Sequence, residues 1–149
     1  MSANLFVNEG AAMYRLEHAN LSVTHADPLT QFICAAFPQF RVRGEGLDHF
    51  GRPWRHVGDD AFYVALQTVP GTDVRTPYSN TPGMNHLGWE IDDLDALRDR
   101  MAAAGYTPNL FDDSHAARRR IYFHDPDGND WEFVEYQTDD PAQRNDYDR

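Results

Sequence analysis

The pattern of hydrophobic and polar positions predicts a strand, a helix and then three strands in the first half of the chain. Residues 14–24 alternate between an apolar face and a mostly polar face that carries His18, as in a strand with one buried side. Asp27, followed by proline, predicts the N-cap of a helix, whose buried face is marked by apolar residues at helical spacing. These apolar residues are Leu29, Phe32, Ile33 and Ala36, and the strands predicted after them cover residues 39–43, 53–57 and 61–68.

The second half repeats this order of elements. Residues 84–91 alternate with His86 on the polar face, and Asp92-Asp93 predicts the cap of a helix that ends at Gly105. The apolar positions of this helix are Leu94, Leu97, Met101 and Ala104, and the strands predicted after it cover residues 106–111, 118–124 and 129–136. Because both halves read β-α-β-β-β, the sequence predicts an α+β fold of two βαβββ modules.

Segments without a hydrophobic period set the expected boundaries of these modules. The prediction is an N-terminal arm at residues 1–13, a first module at 14–70, a linker at 71–83, a second module at 84–137 and a disordered acidic tail at 138–149. A chain of 149 residues is long enough to bury a hydrophobic core without disulfides.

Charge and composition exclude several classes of function. The net charge of −11 leaves no basic surface for phosphates, and the run Arg118-Arg119-Arg120 is too short to supply one, so no nucleic-acid partner is expected. No apolar run approaches the ~20 residues that span a bilayer and no leader opens the chain, which predicts a cytoplasmic protein without a membrane partner. Cys34, the single cysteine, cannot form an internal disulfide and is expected as a small core side chain rather than a nucleophile.

Three side chains with metal-binding chemistry fall on matching strand faces. His18 and His86 lie in the first strands of the two halves, each on the face opposite the apolar side. Glu132 lies in the last strand of the second half, on the corresponding face. Each residue alone is most simply explained as a hydrogen-bonded or solvated side chain. Their joint placement on equivalent faces of three strands indicates a metal site.

The segments around these residues resemble a known family. LEHANLSV around His18, NHLGWEIDDLDAL around His86 and YFHDPDGNDWEFVE ending in Glu132 resemble the vicinal oxygen chelate superfamily. This superfamily includes glyoxalase I, bleomycin-resistance proteins and extradiol dioxygenases. The resemblance implies that the two modules form a cup-shaped mixed β-sheet around a divalent metal ion, with His18, His86 and Glu132 as its ligands. It also implies a small-molecule substrate that chelates the ion through adjacent oxygens, and it makes a homodimer a reasonable expectation.

The resemblance favours an Fe²⁺ enzyme of the extradiol dioxygenase type. The family's fourth ligand position falls on Ala65, which cannot bind metal, and Gln67 on the same face lies roughly 6.6 Å further along the strand. Two histidines and one carboxylate match the facial triad of non-haem Fe(II) oxygenases. Tyr122, which begins a Tyr-x-x-Asp-Pro-x-Gly-x-x-x-Glu run, is then expected as a substrate hydrogen-bond donor, and His115 as an acid/base.

Two other functions are also compatible with these residues. A glyoxalase I-like lyase or isomerase, of the lactoylglutathione lyase type, would use Ni²⁺, Zn²⁺ or Mn²⁺, with Gln67 or Glu90 reaching a substrate proton. A metal-free drug-binding protein of the bleomycin-resistance kind would have an apolar cup and histidines hydrogen-bonded to their neighbours. Tyr63, Gln67 and Trp54 are candidates to line the cup, and for Trp54 packing in the core is the preferred expectation.

Overall fold

The computed structural model describes residues 14–147, so the expected N-terminal arm lies outside the described part of the chain. The first half contains β1 (His18–Val23), α1 (Ala26–Ala36), β2 (Arg41–Leu47), β3 (Pro53–Gly58) and β4 (Tyr63–Thr68). The second half contains β5 (His86–Glu90), α2 (Leu94–Ala103), β6 (Leu110–His115), β7 (Arg118–His124), β8 (Asp130–Tyr136) and α3 (Pro141–Arg144). Residues 71–83, between the halves, form neither a helix nor a strand.

Each half folds into a four-stranded mixed sheet with a helix on one face. The strand order is β1-β4-β3-β2 in the first sheet and β5-β8-β7-β6 in the second. The first and last strands of each half pair in parallel, and the other neighbouring strands are antiparallel. A helix that connects two parallel strands covers one face of their sheet, which leaves each sheet with a helix-covered face and an outer face. The predicted α+β fold of two βαβββ modules is confirmed.

The helix-covered faces of the two sheets share one hydrophobic core. The buried residues of α1 are Leu29, Phe32, Ile33 and Ala36, and those of α2 are Leu94, Leu97 and Met101. Aromatic contacts join the two halves: the ring centroids of Phe32 and Trp131 lie 5.5 Å apart, and those of Phe37 and Trp89 lie 4.6 Å apart. Because both helix-covered faces pack into this core, the outer faces of the sheets turn away from each other.

The helix ends differ from the predicted ones. α1 begins at Ala26 with His25 at its N-cap position, and the carboxylate of Asp27 pairs with Arg55 at 2.7 Å instead of capping the helix. Ala104, expected on the buried stripe of α2, is the C-cap of that helix and is exposed. None of the helices in residues 14–147 has the length and apolar character that crossing a bilayer requires.

The strand that follows α2 begins later than predicted. The expected range was 106–111, whereas β6 begins at Leu110. Tyr106 is not part of the strand because its ring packs edge-on against Phe32 of α1, with 5.1 Å between centroids. The core contact therefore displaces the start of the strand by four residues.

The acidic tail also differs from the expectation of disorder. Asp140 accepts a hydrogen bond from the backbone N–H of Ala142 and caps the short helix α3. Arg144 of this helix donates to Glu90 at 2.6 Å and lies 3.9 Å from the ring centroid of Tyr136. The tail has no apolar face of its own, but these contacts with β5 and β8 hold it against the second sheet.

Candidate metal site

Two of the predicted metal ligands, His86 and Glu132, meet on the outer face of the second sheet. His86 begins β5, and Glu132 lies in the neighbouring β8 opposite Gly88. His86 Nε2 is 2.9 Å from Glu132 Oε2. Glu132 is only 8% exposed, so its carboxylate is a buried acceptor that requires partners.

Tyr122 supplies one of those partners. It is the register partner of Glu132 on β7, and its hydroxyl donates a hydrogen bond of 2.7 Å to Glu132 Oε1. Burial raises the pKa of Tyr122 far above its ordinary value, and the hydrogen bond to Glu132 and the charge of that carboxylate raise it further. The phenol is therefore a hydrogen-bond donor at neutral pH. Its expected role toward a substrate stays a prediction.

Tyr78 fixes the other side of the His86 ring. Its hydroxyl lies 2.7 Å from His86 Nδ1 and 3.1 Å from Asp130 Oδ2. A phenol has one proton, so Tyr78 donates either to Asp130 or to His86 Nδ1. If Asp130 receives the proton, the Tyr78 oxygen accepts from His86 Nδ1, and Nε2 and Glu132 Oε2 are two acceptors 2.9 Å apart that a cation would join. If His86 Nδ1 receives the proton, Nε2–H donates to Glu132 Oε2.

The loop before β5 holds Tyr78 in this position. Arg75 donates to the carbonyl oxygens of Thr81 (2.8 Å) and Met84 (2.7 Å) and to the side chain of Asn85 (3.1 Å). The backbone of Tyr78 has φ = 60°, an uncommon left-handed conformation, and its N–H donates to the same Asn85 side chain at 2.8 Å. Sequence reasoning missed Tyr78 because residues 71–83 have no periodic pattern that places a side chain.

His18, the third predicted ligand, lies on the outer face of the first sheet. Its exposed ring stacks on Tyr63, with 4.9 Å between centroids and 9° between planes. Its Nδ1 contacts the carboxylate of Glu17, and its Nε2 makes no hydrogen bond to any of the residues 14–147. In both His18 and His86 a neighbouring side chain contacts Nδ1. In both residues Nε2 is therefore the ring nitrogen that could bind a metal ion.

The strand register places Ala65 at the position of a fourth metal ligand. In the second sheet, Gly88 pairs with Glu132, and the equivalent pair in the first sheet is Asn20 with Ala65. Ala65 thus occupies the position that corresponds to Glu132, as the sequence alignment of the halves predicts. Gln67 lies two residues further along β4, where its amide donates to the carbonyl of Pro53 at 3.0 Å.

The structure of one chain does not bring His18 to the other two ligands. Among residues 14–147, no three His, Cys, Asp or Glu side chains form a group that could hold a metal ion. The reason is the shared core: His18 is on the outer face of one sheet, His86 and Glu132 are on the outer face of the other, and these faces turn away from each other. A single chain therefore does not bring the three predicted ligands together, and the three-ligand site stays a prediction.

Two further candidates also lie away from the His86–Glu132 pair. His115 pairs with Arg118, four residues before Tyr122 on β7, which is about 13 Å along the strand. Its Nδ1 accepts a hydrogen bond of 3.0 Å from the N–H of Ala117. Glu90 is engaged by Arg144. Within one chain, the structure therefore joins Tyr122 to the site and separates His115 from it.

The prediction for Trp54 is wrong. Trp54 was expected in the core, but it lies half-buried on the outer face of the first sheet and contacts the ring of His56, with 4.8 Å between centroids. The alternation in β3 directs Val57 into the core instead, where it is fully buried. The indole size favours burial, but the strand's period assigns Trp54 to the other face.

The sequence matches a family model, described as the Glyoxalase/Bleomycin resistance protein/Dioxygenase superfamily, over residues 15–133. Solved structures with a similar fold include a glyoxylase/bleomycin resistance protein/dioxygenase domain from Frankia sp. EAN1pec. Its TM-score is 0.72 and its identity 17%, over 87% of this chain and 96% of that chain. A glyoxalase family protein from Enterococcus faecalis has a TM-score of 0.69 and 15% identity, over 81% of this chain and 97% of that chain.

A third solved structure is the fosfomycin resistance protein FosX from Listeria monocytogenes, complexed with Mn(II) and sulfate. It has a TM-score of 0.62 and 17% identity, over 89% of this chain and 98% of that chain. At these identities, the structural likenesses show a shared fold. A comparison with curated proteins found no match. The family model covers most of the chain, and this protein belongs to the Glyoxalase/Bleomycin resistance protein/Dioxygenase superfamily, the vicinal oxygen chelate proteins.

Proposed function

We propose that this protein is a divalent-metal-dependent enzyme acting on a small molecule that chelates the ion through adjacent oxygens. The observation that carries the proposal is the 2.9 Å approach of His86 Nε2 to Glu132 Oε2 on the outer face of the second sheet. Two ligands at right angles on one ion, each about 2.1 Å from it, lie about 3.0 Å apart. The pair therefore fits adjacent positions around a first-row metal ion.

The neighbours of the pair support the same conclusion. Metal-binding histidines usually donate their other ring N–H to a fixed acceptor, and metal-binding carboxylates are usually hydrogen-bonded. The Tyr78 hydroxyl lies 2.7 Å from His86 Nδ1 and would accept its proton when Nε2 binds an ion, and Tyr122 donates to Glu132 Oε1, the oxygen that does not face His86. Both ligands are thus oriented before any ion binds.

The third ligand in this proposal is His18 of a second copy of the chain. His18 cannot reach His86 within its own chain, but its Nε2 has no partner among residues 14–147. A two-fold dimer that brings the outer face of one chain's first sheet against the outer face of the other chain's second sheet would form two identical sites. Each site would then hold two histidines and one carboxylate.

This ligand set favours Fe²⁺ and an extradiol-type dioxygenase. When bound, such an ion polarises the substrate oxygens and leaves further positions for O₂. Ala65, at the place equivalent to Glu132, adds no fourth protein ligand. Tyr122 stays protonated, and it would donate to a substrate oxygen by giving up its hydrogen bond to Glu132 Oε1.

Two other candidates each have one supporting observation. A lyase or isomerase with Ni²⁺, Zn²⁺ or Mn²⁺ is supported by the Mn(II) complex of the structurally similar FosX. A metal-free binding protein is supported by the hydrogen-bond distance between His86 and Glu132, since a proton on the imidazole would satisfy that contact. Metal analysis separates all three.

The test is elemental analysis of protein purified without oxygen, with a His86→Ala variant and a His49→Ala control in an exposed turn. Iron near one ion per chain in the wild type and the control, but lost in His86→Ala, is the expected result. Oxygen uptake with catechols would then follow. Nickel, zinc or manganese at that level would support the lyase or isomerase. Equal, negligible metal in all three proteins after incubation with each ion would contradict both enzyme proposals.

Tyr78→Phe is expected to weaken metal binding about 10- to 100-fold while leaving the fold intact. The change removes only the hydroxyl that would accept from His86 Nδ1, so the ring loses its fixed orientation and proton position. Affinity is measured by competition with a coloured chelator. Tyr14→Phe, at a tyrosine that is 90% exposed, serves as the control. Unchanged affinity in Tyr78→Phe would show that this hydroxyl does not orient a ligand.

A further inference from the structure

A row of aromatic rings crosses the outer face of the first sheet. His18 stacks on Tyr63, Tyr63 contacts His56 at 4.5 Å between centroids, and His56 contacts Trp54 at 4.8 Å. We call these four residues the aromatic row. They lie on the neighbouring strands β1, β4 and β3, so their rings form one continuous surface. A surface of this kind binds planar ligands by stacking.

Glycines on the adjacent strand allow Trp54 to lie against the sheet. Gly44 and Gly46 of β2 are the register partners of His56 and Trp54. A Cβ atom at Gly46 would lie 3.1–3.2 Å from indole atoms, closer than ordinary contact, whereas one at Gly44 would lie at 3.8 Å. A side chain at Gly46 would therefore push the indole away from the sheet. Glycine at this position keeps Trp54 in line with the row.

Arg43 lies over the Tyr63 ring of the aromatic row and makes no hydrogen bond or ion pair with any of the residues 14–147. β2 bulges between Val42 and Gly44, which leaves Arg43 as the extra residue. Such bulges redirect side chains, and the Arg43 Cζ atom lies 4.5 Å from the ring centroid of Tyr63.

Arg43 differs in this respect from every other arginine in residues 14–147. Each of the others donates a hydrogen bond or pairs with a carboxylate, and Arg43 does neither with any residue in that range. The nearby carboxylate of Glu17 is engaged by His18. In a chain with a net charge of −11, a guanidinium without a carboxylate is available to an anion from outside the chain.

We propose that the aromatic row and Arg43 bind a planar aromatic anion and thereby determine the substrate class of the metal site. The inference rests on the proposed function at one point: His18, a proposed metal ligand, is the first ring of the row. A ligand on the row therefore lies beside the ion. Stacking on His56 and Trp54 selects for a ring, and Arg43 selects for its anionic group.

A ligand with only a negative charge or only an aromatic ring would contact either Arg43 or the aromatic row, but not both. An aliphatic acid would pair with Arg43 but leave the aromatic row without a stacking partner. A neutral ring would stack but leave the guanidinium without an anion. An aromatic acid uses both, and the flat guanidinium fits a carboxylate through two parallel hydrogen bonds.

The experiment titrates metal-free protein with benzoate, cyclohexanecarboxylate and benzyl alcohol, following the indole N–H signal of Trp54 by NMR and affinity by calorimetry. Benzoate is expected to shift that signal and to bind roughly tenfold tighter than either analogue. Arg43→Gln is expected to reduce benzoate affinity to that of benzyl alcohol. Arg41→Gln, at a neighbouring exposed arginine that pairs with Asp60, is the matched control and should leave benzoate affinity unchanged.

Equal affinity for benzoate and cyclohexanecarboxylate would overturn the proposal, as would equal losses in Arg43→Gln and Arg41→Gln. Trp54→Leu tests the ring contribution separately: it should remove the preference for benzoate over cyclohexanecarboxylate, and a preference that persists would contradict the role of the row. Because these titrations use metal-free protein, they do not depend on the metal proposal. Benzoate binding in a protein that takes up no metal would overturn the proposed function and retain the aromatic site.

Discussion

Mixing His18→Ala chains with His86→Ala chains is expected to restore about a quarter of the wild-type metal content, although neither variant alone binds metal tightly. In the proposed dimer, each site takes His86 and Glu132 from one chain and His18 from the other. A mixed dimer then contains one site with all three ligands and one site that lacks both histidines. Half of randomly reassembled dimers are mixed, and half of their sites are complete.

The matched control mixes His86→Ala with Glu132→Ala. Both changes affect the same half of the site, because His86 and Glu132 contact each other within one chain at 2.9 Å. No mixed dimer can then contain a complete site, so the metal content should stay at the level of the single variants. The measurement is elemental analysis of the whole reassembled mixture, and mixed dimers isolated from it through two different affinity tags should hold about half of the wild-type metal content. Equal metal contents in the two mixtures would contradict a site shared between chains.

Asp125→Ala is expected to lower the free energy of unfolding by about 3–5 kcal/mol. Asp125 begins the turn between β7 and β8, the strands that carry Tyr122 and Glu132, and it is only 5% exposed. Its carboxylate accepts from the N–H groups of Asp127 and Asn129, the Asn129 amide and the Trp131 indole, at distances of 2.9 to 3.3 Å. Alanine would leave the buried Trp131 indole and the half-buried donors of Asp127 and Asn129 without this acceptor.

Urea unfolding measures this loss, and two variants control for it. Asp125→Asn keeps one acceptor oxygen, and burial already raises the pKa of the Asp125 carboxyl by penalising its charge, so this variant should lose clearly less stability than alanine. Asp113→Ala, at an exposed aspartate in β6, should change stability by no more than about 0.5 kcal/mol. A loss in Asp125→Ala no larger than in Asp113→Ala would show that the turn does not depend on these hydrogen bonds.

For the candidate site, strand alternation in the sequence predicted the sheet face on which each candidate ligand lies. Alternation is a local property: successive side chains point to opposite faces whatever the strand packs against. It therefore assigned His18, His86 and Glu132 to the outer faces correctly, and the repeat of the two halves aligned Ala65 with Glu132. The preferred prediction for Trp54 was wrong because it followed the size of the side chain, whereas the alternation of β3 places the indole on the outer face.

The remaining parts of the site depend on contacts between residues far apart in the chain. Tyr78 reaches His86 because Arg75 and Asn85 shape an aperiodic loop, and its hydroxyl also bonds Asp130, fifty-two residues away. The tail helix forms because Arg144 finds Glu90 and Tyr136 on the second sheet. No local pattern encodes such pairings.

Hydrophobic periods within single strands and helices were enough to predict the α+β class, the order of elements in two βαβββ halves and the face on which each candidate ligand lies. Which of these ligands meet depends instead on how the two halves pack. The helix-covered faces bury their apolar side chains against each other in one core, so the outer faces turn apart, and His86 meets Glu132 while His18 is left without its partners. The burial of apolar surface, rather than any affinity for metal, sets this separation within the chain.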